Sequence, residues 1–166
     1  LTRPQQKIPG TSIDAGLGKI GYTIIANLAE LNPRIITEAP LLTSLLPTIG
    51  QFHDSEWGGA NEILILPDGK LGVLGHIARF DVLGNRHYYV MVFTIDLASG
   101  TVGPLKIILE RADLGEIFVG PSKRPDLWDV LFSGGFELNS DGTVVIYVGV
   151  GDALVYRIIR PNPFNS

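Results

Sequence analysis

The sequence predicts an all-β fold built from short antiparallel strands. Three observations predict it. Apolar and β-branched runs of five to nine residues recur from residue 61 onward, Asp-Gly turns join them in pairs, and glycine and proline punctuate the whole chain instead of gathering in one linker. The chain has 166 residues, of which 20 are Gly and 11 are Pro. That length suits a single domain with a substantial core.

The first hairpin is Glu62-Ile63-Leu64-Ile65-Leu66, a turn at Pro67-Asp68-Gly69, and Lys70-Leu71-Gly72-Val73-Leu74-Gly75-His76-Ile77. A polar turn over residues 81–85 leads to the aromatic and β-branched run His87-Tyr88-Tyr89-Val90-Met91-Val92-Phe93-Thr94-Ile95, and residues 105–110 supply a fourth strand. Four strands in about 50 residues is the size of one propeller blade. The same order recurs further on: a strand over residues 130–138, a turn at Asp141-Gly142, a strand over residues 143–150, and a third over residues 155–159 before Pro161 and Pro163. Upstream, residues 19–25 and 34–37 read as the last two strands of an earlier unit. The expected organisation is residues 1–40 as the end of one blade, 41–60 as a connecting loop, 61–111 as a full blade, and 128–166 as most of another.

Two stretches compete with this reading. Residues 24–31 could form about two helical turns that Pro33 would end. Residues 41–46 are too short to type by period and are placed in the connecting loop.

Composition narrows the functional classes. Hydrophobic residues make up 45% and charged residues 18%, with a formal charge of -4. An acidic protein repels phosphate polymers and anionic lipid, so neither nucleic acid nor a membrane surface is an expected partner. No apolar run nears the roughly 20 residues that cross a bilayer. The absence of cysteine and of any Asn-x-Ser/Thr sequon fits a reducing, cytoplasmic setting. A start at Leu1 rather than Met points to processing or to a longer parent sequence.

Several local patterns carry candidate chemistry. Gly16-Leu17-Gly18-Lys19-Ile20-Gly21 spells a dinucleotide fingerprint, but no strand precedes it and no βαβ pattern follows, so it reads as a turn. Glu56-Trp57-Gly58-Gly59-Ala60-Asn61-Glu62 offers carboxylates, an indole and an amide, the parts of a sugar site, or else a tight turn with a tryptophan plug. His76 and His87 lie on neighbouring predicted strands, so pairing could bring them into one pocket with Arg86 to hold a phosphate or a sugar oxygen. A zinc site lacks a third ligand at recognisable spacing. Lys123-Arg124-Pro125-Asp126-Leu127-Trp128-Asp129 concentrates cations, carboxylates and an indole, fit for a small anion or for a salt-bridged turn. Ser133 lacks the surrounding elbow of a serine hydrolase. Asp152 follows a strand and either projects at a rim or caps a turn.

Together these motifs, with Leu71-Gly72-Val73-Leu74-Gly75-His76-Ile77-Ala78, Asn85-Arg86-His87-Tyr88-Tyr89 and Phe132-Ser133-Gly134-Gly135, resemble the mannosyltransferase/phosphorylase family of five-bladed propellers, related to the β-mannoside phosphorylases of glycoside hydrolase family 130. The resemblance implies about two and a half blades of such a ring, corresponding to its later part. It implies mannosyl transfer to or from phosphate or a sugar nucleotide, with a mannose-containing oligosaccharide and phosphate as partners and no cofactor or metal. By that likeness Arg3, Lys19, His76, Arg86, His87, Tyr88, Lys123 and Arg124 are candidates for phosphate, and Glu56, Trp57, Asn61, Asp126, Asp129 and Asp152 for sugar. The acid aspartate is expected outside this chain, so the enzyme reading requires the earlier blades. The alternative is a non-catalytic sugar- or phosphate-binding fragment. Residues 43–49 look inserted relative to the family pattern. An open arc leaves sheet edges exposed, so self-association is expected.

Overall fold

The computed structural model describes residues 1–2, 18–42, 45–46, 50–115 and 120–165. Eight strands dominate it: β1 (Glu56–Ile65), β2 (Leu71–Phe80), β3 (Arg86–Asp96), β4 (Thr101–Val102), β5 (Lys106–Leu109), β6 (Asp129–Leu138), β7 (Thr143–Val150) and β8 (Leu154–Pro161). The all-β expectation holds. β1, β2 and β3 form an antiparallel meander to which β4 and β5 add against β3, and β6, β7 and β8 form a second meander. A short parallel pair, His87 opposite Asp129 and Tyr88 opposite Val130, joins the two.

The two meanders are built alike. Each first hairpin closes with the same pair of backbone bonds, Leu66 N to Lys70 O and Gly69 N to Leu66 O in one, Asn139 N to Thr143 O and Gly142 N to Asn139 O in the other. Gly69 and Gly142 sit at φ 83° and 82°, backbone that a Cβ disfavours. Each first strand also carries a bulge, between Ala60 and Glu62 in β1 and between Ser133 and Gly135 in β6. Asn61 and Gly134 are therefore equivalent positions.

Strand alternation sorts the core into two clusters. One lies between the meanders and contains Leu74, Val90, Val92, Leu131, Val144, Ile146, Val148 and Ile158. The other lies on the opposite face of the first meander, where Val73, Ile77, Met91, Phe93 and Ile95 meet Ile20, Leu42, Leu45 and Phe52. Each sheet thus has a neighbour, or the beginning of one, on the faces it buries.

The N-terminal segment differs from the sequence expectation. Residues 19–25 contribute only isolated bridges, Thr2 to Gly21 and Gly21 to Leu41, and residues 34–37 belong to a short helix, α1 (Pro33–Thr37). Asn32 explains the helix: its side chain accepts from the Ile35 amide, and Pro33 takes the first helical position, where its missing N–H costs nothing. Pro33 opens a helix rather than ending one. Within residues 24–31 only a 3-10 turn forms, Leu28–Glu30. β1 starts at Glu56, so the motif from Glu56 to Glu62 lies inside a strand and not in a turn ahead of it.

Candidate functional site

Two side-chain groups stand at one end and on opposite faces of the first meander. Register decides the division: His76 pairs with Val90, Ala78 with Tyr88 and Phe80 with Arg86, so His76, Tyr88, Phe80 and Arg86 share the face toward the second meander. His87, opposite Arg79, takes the other face. The expectation that His76 and His87 share a pocket is corrected on this ground. An odd separation from Val90 turns His87 away.

The inner face carries a polar knot in the middle of the strands. His76, 5% exposed, donates from Nδ1 to Asn61 Oδ1 at 2.9 Å. Buried Ser133 reaches Gly75 O at 2.9 Å and Asn61 Oδ1 at 3.0 Å, and its single hydroxyl proton serves one of them at a time. The imidazole is held between aromatic rings, Phe132 at 4.6 Å and Tyr88 at 5.7 Å. The bulge that makes Asn61 an extra residue in β1 aims its amide across the strand at His76. Gly75 permits the close approach, since a Cβ there would lie 2.2 Å from Gly59 O.

Beside this knot is a cavity of about 240 Å³ lined by Leu1, Thr2, Gly59, Ala60, Asn61, His76 and Phe132. Its walls carry no charged side chain. Thr2 Oγ1 is buried and has no hydrogen-bond partner among the described residues.

Toward the end of the strands the same face turns aromatic and then cationic. Trp57 Nε1 donates to the Tyr88 hydroxyl at 3.2 Å, and its ring lies 4.9 Å from Phe80. A Cβ at Gly18 would come within 2.2 Å of the Trp57 Cβ, so backbone closes in on the indole from the other side. Trp57 acts here as a plug more than as an open platform. Arg86 lies over the Phe80 ring at 5.2 Å and pairs with Asp126, which also takes Arg124 at 3.1 Å. Two guanidiniums therefore share one carboxylate and leave a positive charge, with Lys123 exposed next in sequence.

The outer face holds a different arrangement. Asp129 Oδ2 accepts from His87 Nδ1 at 2.6 Å and from the Tyr89 hydroxyl at 2.9 Å, while His87 Nε2 lies 3.4 Å from Asp81 Oδ2. Hydrogen bonds led by the Asn85 amide hold the Asp81 carboxyl down at about 2. Burial and the bond to Asp129 push the Tyr89 phenol up. Carboxylates on both sides of His87 make it a poor seat for phosphate and a good tie between β3 and β6. Lys19 lies over Phe52 at 5.3 Å, its ammonium lowered by burial against the pull of Asp54 and Glu56. Glu56 caps a turn by accepting the His53 amide at 3.0 Å.

The remaining candidates separate similarly. Asp152 occupies the β7–β8 turn at φ 54°, next to Gly151 at φ 59°, and is exposed. Arg3 lies outside the described residues. Trp57, Arg86, Tyr88 and Arg124 share the inner face with His76 and Asn61, whereas His87 and Asp129 do not, so a single rim facing one way is not what forms. Sequence reasoning missed Thr2, Asp81 and Tyr89 and set Ser133 aside; the matched bulges of β1 and β6 were the available signal for Ser133. Among the described residues no cluster of His, Asp and Glu could hold a metal ion, and no helix is long and apolar enough to cross a membrane.

The fold and this inner face define an all-β protein of blade-like meanders with an uncharged polar cavity on its first strands. The chain belongs to the family described as a protein of unknown function, DUF1861, whose model matches residues 1–166. A comparison with curated proteins finds no match. Among solved structures the chain is similar to MPT-4, a mannose phosphorylase from Leishmania mexicana in complex with phosphate ion, at 31% identity and TM-score 0.75, over 88% of this chain and 44% of that one. It is also similar to MPT-1, a GDP-Man-dependent mannosyltransferase from Leishmania mexicana, at 28% identity and TM-score 0.74, over 89% of this chain and 46% of that one. A hypothetical protein from Leishmania major matches at 32% identity and TM-score 0.72, over 89% of this chain and 45% of the other. These likenesses establish kinship with mannosyltransferase/phosphorylase proteins. The chain spans less than half the length of the solved relatives it matches.

Proposed function

We propose that the chain supplies the sugar-binding part of a mannoside-handling site, with one mannosyl unit seated in the cavity at Thr2, Asn61, His76 and Phe132. The observation that carries this reading is the Asn61–His76 pair converging on an aromatic-walled cavity, with Thr2 in its lining. A neutral cavity with a few convergent polar groups and an aromatic wall suits a pyranose better than a bare anion. At about 240 Å³ it is small for an oligosaccharide. Kinship with a mannose phosphorylase and a mannosyltransferase supports mannose as the sugar.

Phosphate, on this reading, belongs to Arg86, Arg124 and Lys123. Four strand residues separate the levels of His76 and Phe80, about 13 Å at ~3.3 Å per residue, so a ligand engaging both places must be longer than one pyranose. A sugar nucleotide or a phosphorylated oligosaccharide has that reach. No cofactor is required, and turnover depends on a catalytic acid that no residue of this site supplies.

Titration calorimetry on the full chain tests the assignment, using mannose, a β-1,2-mannobiose and inorganic phosphate. His76→Phe should weaken mannoside binding and spare phosphate, and Arg124→Ala should do the reverse. Absence of mannoside heat in the unmutated chain, or mannoside binding that survives His76→Phe unchanged, overturns the reading.

A further inference from the structure

The cationic group on the inner face and the His87 group on the outer face meet at one joint. Among the described residues a single strand pairing connects the two meanders, the parallel pair of β3 and β6, made of His87 with Asp129 and Tyr88 with Val130. Arg86 enters that joint from the first meander, while Arg124 and Asp126 enter it from the 3-10 turn that leads into β6. The Arg86–Asp126 ion pair therefore bridges the meanders on the inner side. On the outer side the bridge is Asp129, whose carboxylate accepts from His87 Nδ1 at 2.6 Å and from the Tyr89 hydroxyl at 2.9 Å. His87 Nε2 lies 3.4 Å from Asp81 Oδ2, and Arg79 stands beside Tyr89. Successive residues of a strand point to opposite faces, so Arg86 and His87 ride on one stretch of backbone. Whatever holds His87 against Asp129 also sets the separation of Arg86 from Arg124.

We propose that Asp129, His87 and Tyr89 are positioning residues for the anion site: they touch no anion and set its affinity from the opposite face of the joint. This inference rests on the reading that a phosphoryl dianion sits at Arg86 and Arg124. A dianion gains most from guanidiniums already spaced to share it, and these are long side chains, 34% and 56% exposed, that lose rotamer freedom when they converge. Side chains of such freedom do not hold their own spacing, so the backbone beneath them must. The outer tie is the firmer one, with His87 19% and Asp129 27% exposed and two donors on one carboxylate. Linkage is reciprocal, so a dianion shared by Arg86 and Arg124 tightens the same joint from the inner side.

Electrostatics and positioning give opposite signs for one substitution. Asp129→Asn removes a negative charge near the site, which by itself would tighten anion binding; loss of the tie weakens it. Titration calorimetry on the full chain, with inorganic phosphate and separately with mannose 1-phosphate, should show Asp129→Asn raising the dissociation constant about threefold or more and Tyr89→Phe moving it the same way. Free phosphate and a phosphorylated sugar present the same dianion, and the ligand that binds the unmutated chain more tightly names its source. Two substitutions at His87 separate positioning from contact. His87→Asn keeps an N–H near the place of Nδ1 and should stay close to wild type, while His87→Val removes it and should weaken binding; a direct imidazole contact would be lost equally in both. Hydrogen exchange gives the reciprocal reading, since phosphate should slow exchange in peptides covering Tyr88 and Val130 of the unmutated chain, and circular dichroism checks that each variant folds. Unchanged or tighter anion binding in Asp129→Asn, equal losses in His87→Asn and His87→Val, or exchange at the joint indifferent to phosphate would each overturn the proposal alone. If neither ligand binds the unmutated chain, the anion reading fails and this proposal with it.

Discussion

His76 does two physical jobs, and a pair of substitutions separates them. Its ring fills the space between Phe132 at 4.6 Å and Tyr88 at 5.7 Å, and its Nδ1 proton goes to Asn61. His76→Phe keeps a ring and removes the hydrogen bond. Asn61 Oδ1 is not orphaned by that change, because the Ser133 hydroxyl lies 3.0 Å away and can turn its proton to it. Loss of the bond to Asn61 by itself costs about 1 kcal/mol. His76→Ala instead empties a site that is 5% exposed, and truncation of a buried ring of this size costs about 2–4 kcal/mol. For a chain of this length about 1 kcal/mol shifts Tm by roughly 2–4 °C, so calorimetric melts should fall by about 2–4 °C for His76→Phe and by roughly 4–16 °C for His76→Ala. Both should lose mannoside affinity. Equal losses of Tm in the two variants would refute the packing role, and an unaltered mannoside affinity in His76→Phe would refute the polar one.

Other substitutions probe the frame around that residue. Gly75→Ala puts a Cβ 2.2 Å from Gly59 O and 3.0 Å from Met91 Cε, so urea denaturation should show a loss of about 1–3 kcal/mol, whereas Gly134→Ala meets only Tyr147 O at 3.5 Å and should be nearly neutral. Asp129→Asn weakens the bonds from both His87 and Tyr89, and with the His87 and Asp129 side chains 19% and 27% exposed the expected loss is about 1–2 kcal/mol at neutral pH, less in high salt. Asp81, held near 2 against an ordinary 3.8, stabilises the fold above the ordinary value and loses that contribution as pH falls through about 2. Melts of Asp81→Asn should therefore lie below wild type at pH 7 and converge with it in strong acid.

Much of the fold was legible because strand patterning is local. Alternation in Val73, Leu74 and Ile77, the Asp-Gly turns and the aromatic run at Tyr88 and Tyr89 each predict a strand or hairpin without long-range information, and all of them formed. Residues 34–37 misread because β-branched Ile35 and Ile36 outvoted a capping signal, Asn32-Pro33, that sits outside the run. The site was legible in composition but not in orientation. His76 and His87 both fall in predicted strands, and whether they share a face depends on a register that neither strand encodes alone. The bulge at Asn61 is a second hidden variable. It changes which β1 side chains face His76, and its only trace in the sequence is the glycine-rich likeness between Gly58-Gly59-Ala60 and Ser133-Gly134-Gly135.

The same register fixes where an anion can sit. A phosphate at His87 would approach Asp129 and Asp81 together, carboxylates 2.6 and 3.4 Å from the imidazole nitrogens, and repulsion from these two charges opposes the pull of the ring and of Arg79, which stands opposite His87 and close to Tyr89. At Asp126 the balance is reversed, because Arg86 and Arg124 both converge on a single carboxylate and an incoming dianion could take over one guanidinium while Asp126 keeps the other. Asp126 then acts as a placeholder that keeps the two cations ordered before the anion arrives. The consequence is specific: Asp126→Asn should strengthen phosphate binding if the extra charge dominates, and weaken it if ordering of Arg86 and Arg124 dominates. The half-exposed setting of both arginines favours ordering, so calorimetry should record the weaker binding.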